Sequence, residues 1–165
     1  MSIWGPGPFE NDDAADWFAD LRDEPSLDLI KQVLAEIAEP AHIGYIEVTD
    51  GAEAVAAAEV LAELLGSPGD EPVLDEETEE LAETLRDAIK REDRRNIKKL
   101  AQTAIDSIEI VLNDTEDSEL RQMWEEQPEE MPAWITAITA LQQRLREITV
   151  PQDSLPSLRN STDTE

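Results

Sequence analysis

The chain has 165 residues, no cysteine, one histidine and a formal net charge of −27, and its length suits one domain that needs no disulfide or metal staple. The missing cysteine excludes thiol catalysis and thiolate metal sites and fits a reducing compartment. The acidity repels nucleic acid and anionic lipid and favours a basic partner, cations or simple solubility.

Forty per cent of the residues are hydrophobic but only 4% aromatic, and Leu, Ile and Ala dominate, which predicts an all-α single-domain bundle of about six to seven helices. Asn11 is placed to cap a first helix of about 11–22, with Ala14, Trp17, Phe18 and Leu21 on one face. Pro25 suits the first turn of a second helix, whose stripe is Leu27, Ile30, Val33, Leu34 and Ile37 and which Pro40 ends. The segment 41–49 reads as a connector or a short extended piece. Asp50 and Glu53 read as a capping pair for a third helix ending at Gly66. That helix is apolar almost all round except for Glu53, Glu59 and Glu63, which places it at the centre.

Residues 67–72 form a loop by their Pro and Gly content. Two stripes come next: Leu81, Leu85, Ala88 and Ile89, then Ile97, Leu100, Ala104, Ile105, Ile108, Val111 and Leu112. The charged interval Glu92–Arg95 separates them, predicting two helices with Asp93 as a cap, against the alternative of one bent helix. Ser118 caps a short helix with Leu120, Met123 and Trp124. The last helix, about 131–148, buries Met131, Trp134, Ile135, Ile138, Leu141 and Leu145. The domain is expected over 1–150, and 151–165 is expected to be a disordered polar tail.

Residues 1–85 hold 23 acids and only Arg22 and Lys31 as bases, whereas 86–99 hold seven bases against three acids. This basic island is expected to lie against the chain's own acids. Direct nucleic-acid binding is not expected, since seven bases act within the field of forty carboxylates.

The opening stretch WGPGPFENDDAADW, 4–17, concentrates aromatics, glycines and acids. Gly5 and Gly7 permit positive φ or close backbone approach, Pro6 and Pro8 stiffen the turn, and Trp4 and Phe9 flank it as apolar anchors. The turn is expected to return Trp4 to the core beside Trp17, while Asn11, Asp12 and Asp13 sit at the positive end of the first helix. Asp12, Asp16 and Asp20 then form a like-charged column at i, i+4 and i+8. Asp20 is expected to serve solubility, and Asp16, beside Trp17, to take an internal hydrogen bond.

The same residues resemble the opening of a bacterial family catalogued as domain of unknown function 4259: Trp4, Gly5, Gly7, Phe9, Asn11, Asp12, Ala14 or Ala15, Asp16 and Trp17 match W-G-x-G-x-F-x-N-D-x-A-x-D-W. The resemblance continues in the alanine-rich helix 52–65 and in DSELRQMWEE, 117–126. It implies a single helical domain over most of 1–148 and no settled activity.

Enzyme chemistry has few candidates. A nucleophile–histidine device would need His42, which has no nucleophile elbow around it, and forty acids make a chance carboxylate pair uninformative. No Walker or dinucleotide motif is present. Asp12, Asp13 and Asp16 could offer oxygen to a hard cation, although one helix face supplies few convergent ligands. Five Asp between 12 and 23 give one charge per roughly 3–4 Å of helix, close to the about 3.4 Å of a nucleic-acid single strand. The expectation is a cytoplasmic, non-enzymatic, cofactor-free acidic module of the inhibitor or immunity type, binding a basic protein surface through Asp12, Asp13, Asp16 and Asp20, with no membrane contact. The alternative is an enzyme or hard-metal-binding protein centred on the N-terminal Asn/Asp motif.

Overall fold

The computed structural model describes residues 3, 5–38 and 44–149. They form seven α-helices: α1 (Asp12–Asp23), α2 (Leu27–Ala38), α3 (Val48–Leu64), α4 (Glu79–Arg91), α5 (Arg94–Asn113), α6 (Glu119–Glu125) and α7 (Met131–Thr149), with a 3₁₀ turn at Glu76–Thr78 before α4. Trp4, Pro40, His42 and the segment 151–165 lie outside the described residues, and so do the expectations placed on them.

The bundle is organised around α3. Thirteen of its 17 residues are buried, and it touches each of the other six α-helices. Its Ala-rich surface lets neighbours approach closely: a methyl at Gly51 would lie 3.4 Å from Leu120 Cβ. The surrounding helices bury narrower stripes, as their 3.6-residue periodicity requires. Ala14, Trp17, Phe18 and Leu21 are buried from α1, Leu27, Ile30, Leu34 and Ile37 from α2, and Trp134, Ile138, Leu141 and Leu145 from α7.

Local capping matches the sequence at three starts. Asn11 Oδ1 accepts from the Ala14 N–H at 2.8 Å. Asp93 accepts from the Arg95 N–H at 3.0 Å, which separates α4 from α5 as two helices. Ser118 is the N-cap of α6 and also donates to the Val111 carbonyl at 2.8 Å, fixing α6 to α5. Gly66, at φ +93°, ends α3 in the left-handed region that glycine tolerates.

Two starts differ from expectation. Pro25 lies outside α2, whose first turn is capped instead by Ser26 Oγ accepting from the Asp28 N–H at 3.1 Å. Asp50 does not cap α3. The helix begins two residues earlier at Val48, and its N-cap, Glu47, makes no side-chain cap bond. The donor is satisfied from a distant helix: Glu119 Oε1 accepts from the Val48 N–H at 2.7 Å. The described part of the connector before α3 makes one extended bridge at Ile46, whose N–H donates to the Asp117 carbonyl at 2.7 Å while the Glu119 N–H donates back to the Ile46 carbonyl at 3.0 Å. The 117–119 segment therefore seats the start of the central helix.

Replacing Glu119 with Ala leaves the Val48 N–H without its acceptor. The expected cost is about 1–2 kcal/mol, measured as a lower urea midpoint with an unchanged slope.

Candidate functional site

The N-terminal turn is built around a carboxylate. The Gly7 N–H donates to Glu10 Oε1 at 2.9 Å, the Glu10 N–H donates to the Gly7 carbonyl at 3.1 Å, and a methyl at Gly5 or Gly7 would run into the Glu10 carboxyl group. Among the described residues only Gly44 and Gly66 have positive φ, so Gly5 and Gly7 are small because Glu10 folds over them. Ile3 then pairs with Asn11 as an isolated antiparallel bridge, and Phe9 meets Phe18 edge-on with ring centroids 5.3 Å apart. The turn packs over Ala52 and Val55 of α3 and over Trp124 and Trp134, whose rings stack at 5.9 Å. The space left between them, about 10 Å³, admits one water at most. The knot of glycines and aromatics thus closes the bundle rather than opening a ligand pocket. Trp17 is 4% exposed, and its indole Nε1 has no hydrogen-bond partner among the described residues.

Asp12, Asp13, Asp16 and Asp20 of α1 separate into two sets. Asp12, Asp16 and Asp20 are exposed along the outer face. Among the described residues Asp16 makes no internal hydrogen bond: the helical period that turns Trp17 inward rotates its neighbour about 100° away, into water. Asp13 is partly buried and accepts from the Thr49 hydroxyl at 3.1 Å, joining α1 to the first turn of α3. Of the expected cation ligands, Asp13 thus points away from Asp12 and Asp16, and among the described residues no group of three His, Asp or Glu side chains could hold a metal ion.

Glu53 of α3 is partly buried and lies within the field of acids on α1, α2 and α3. Burial pushes its carboxyl up to about 7, helped by the charges of Asp50, Asp13, Glu36 and Asp20. Its neighbourhood contains several acids from three helices, so the cost of ionising it is electrostatic as well as desolvating.

A second buried carboxylate cluster sits further along α3. Glu59 is 5% exposed and takes a two-point contact from Arg144 of α7, Nη2 to Oε1 at 2.6 Å and Nη1 to Oε2 at 3.2 Å. Arg144 also donates to the Ser67 carbonyl at 3.0 Å. One turn on, Glu63 accepts from the N–H groups of Val73 and Leu74, each at 2.9 Å. Burial, first, and then the hydrogen bond to Glu59 push Glu63 up to about 7, against the lowering effect of the two amides. Sequence marks these residues only as acids on an otherwise apolar helix. Nothing local connects them to Arg144, 85 residues from Glu59.

The basic island contacts α2 where Lys31 donates to Glu92 Oε2 at 3.1 Å, a pair in which the island supplies the acid and α2 the base. That bond, with a second from Asn96, holds the Glu92 carboxyl below its ordinary range. Two hollows flank this corner: one of 330 Å³ between α2 and α4, including Leu27, Leu85 and Arg91, and one of 240 Å³ between α2 and α5, including Lys31, Asn96 and Lys99. Neither contains an aspartate of α1, so the cavities and the acidic face are separate features.

These features define an acidic all-α bundle wrapped around one buried alanine-rich helix. The chain belongs to the family described as domain of unknown function (DUF4259), whose family model matches residues 2–137. No curated protein and no solved structure matches it.

Changing Asp16 and Asp20 together to Asn relieves like-charge contacts at i, i+4 spacing on an exposed face. The melting temperature is expected to equal or slightly exceed that of the unaltered protein, by a few tenths of a kcal/mol per contact, and a marked fall in a thermal melt would show that one of them is bonded internally.

The two raised carboxyls fix the sign of the pH dependence. Glu53 and Glu63 have folded values of about 7 against an ordinary 4.5, so between those limits the folded protein holds protons that the unfolded chain has released. Stability is therefore expected to fall as pH rises from 5 to about 7 and to level off above, by on the order of 2 kcal/mol, with the partly exposed Glu53 contributing less because water screens it. Urea midpoints at pH 5 and pH 8 measure this, and a higher midpoint at pH 8 would contradict the assignment.

Proposed function

We propose that the protein is a non-enzymatic, acidic protein-binding module that covers a basic surface of its partner, in the manner of an inhibitor or immunity protein. The observation that carries this reading is the exposed row Asp12, Asp16 and Asp20 on a helix whose opposite face is pinned by Trp17, Phe18 and Leu21. A helix already fixed by that packing loses little backbone freedom on association. The net charge of −27 adds a long-range field that accelerates encounter with a basic partner and is weakened by salt. The same field disfavours direct binding of nucleic acid and of anionic membranes, and no helix among the described residues is long and apolar enough to cross a membrane. A cytoplasmic setting accords with the absence of cysteine.

The test uses the protein and its Asp12→Asn, Asp16→Asn, Asp20→Asn variant as paired baits, with elemental analysis of both preparations. A basic protein retained by the first, lost by the variant and released at about 0.5 M salt is the expected result. Equal retention by both baits, or a stoichiometric metal in the purified protein, would overturn the proposal.

A further inference from the structure

Glu59 and Glu63 stand one turn apart on the central helix, 5% and 4% exposed, with one guanidinium, that of Arg144, meeting Glu59. Two adjacent buried carboxylates with one cation beside them do not both ionise without cost. Around them folds the loop after α3. Its near end is fastened through Arg144 to the Ser67 carbonyl. Its middle lies on the guanidinium, where a methyl at Gly69 would come within 3.1 Å of Arg144 Cζ. Its far end is fastened through the Val73 and Leu74 N–H groups to Glu63. The loop contributes backbone amides to the cluster, while its own acids Asp70 and Glu71, and Asp75 just after it, are exposed. Among the described residues, the charged group acting on Glu63 is Glu59 from α3, which in turn is met by Arg144 from α7.

We propose that Glu59, Glu63 and Arg144 form a proton-operated latch on the 67–74 loop: a proton held between the two carboxylates keeps both ends of the loop fastened, and its loss to solvent opens the Val73–Leu74 end. With the proton in place, the Glu63 hydroxyl donates to Glu59 while both Glu63 oxygens keep lone pairs for the two amides. Without it, that donor is gone and two negative charges face each other in a site closed to water. Opening the loop hydrates Glu63 and returns its carboxyl from about 7 towards the ordinary 4.5. Opening therefore releases a proton, and by linkage its equilibrium constant rises by up to about tenfold per pH unit between those values and levels off above them.

The experiment is native-state amide exchange on the full chain from pH 5 to pH 8, reading protection at Val73 and Leu74 and, as a reference, at Ile108 in the buried face of α5. Val73 and Leu74 are expected to be less protected than Ile108 throughout, and to lose protection by up to about tenfold per unit to pH 7. In Glu63→Gln the side chain keeps a donor for Glu59 and gives up one amide acceptor, so protection is lower overall but no longer varies with pH. Protection equal to that of Ile108 throughout, a flat profile in the unaltered protein, or a slope that survives Glu63→Gln would each overturn the latch. Should that variant fail to fold, a carboxyl carbon NMR titration of the unaltered protein decides: a Glu63 midpoint above about 6 supports the latch and one below it overturns it.

Discussion

The burial of α3 on all sides is the constraint on which the rest of the structure depends. A helix surrounded by other helices must present a nearly continuous apolar surface, and small side chains allow those neighbours to approach from every direction. It also favours partners inside the bundle for the polar groups on that helix, because an unpaired buried donor or carboxylate costs more than a hydrogen bond returns. The solutions are all long-range. Glu119 accepts from the Val48 N–H, Thr49 bonds to Asp13, Arg144 pairs with Glu59, and the loop amides of Val73 and Leu74 bond to Glu63. Each of these contacts fixes a different element to the centre: α6, α1, α7 and the loop leading to α4.

The acidic charge is divided according to what the core requires. On the outside, Asp12, Asp16 and Asp20 are exposed and repel one another mildly along the helical row, and Asp20 adds to the field that raises Glu53. On the inside, Glu53 and Glu63 are held where ionisation is costly, and both carry proton affinities near neutrality. The first set is available to a partner at little cost to stability. The second couples stability, and the closure of one loop, to pH. Surface and interior acids therefore have opposite consequences although they are chemically alike.

The N-terminal turn belongs with the core. Its glycines make room for Glu10, its asparagine caps α1, and Phe9 reaches Phe18. This compact unit covers the Trp124–Trp134 stack where α3, α6 and α7 meet, so the density of special residues at the start of the chain reflects a demanding local geometry. What it offers to function is indirect: it holds α1 still, with its acidic row facing outwards.

By itself the sequence determined the helical class, the central place of the alanine-rich segment, and the caps Asn11 and Ser118; it placed a break within Glu92–Arg95 with Asp93 as the cap, against one bent helix, and the structure chose the break. Each of these depends on interactions within a turn or on the 3.6-residue repeat, and such information lies in neighbouring residues. Only the tertiary structure decided that Asp16 faces water, that Glu10 occupies the glycine turn, and that α3 is capped by Glu119, 71 residues away, rather than by Asp50. It likewise decided that Glu59 and Glu63 are buried, since an acid on an apolar helix reads the same whether a guanidinium meets it or solvent does. Periodicity specifies which face of a helix is apolar. Which distant side chain reaches a polar group on that face depends on how the helices pack, and that choice is made by the whole chain at once.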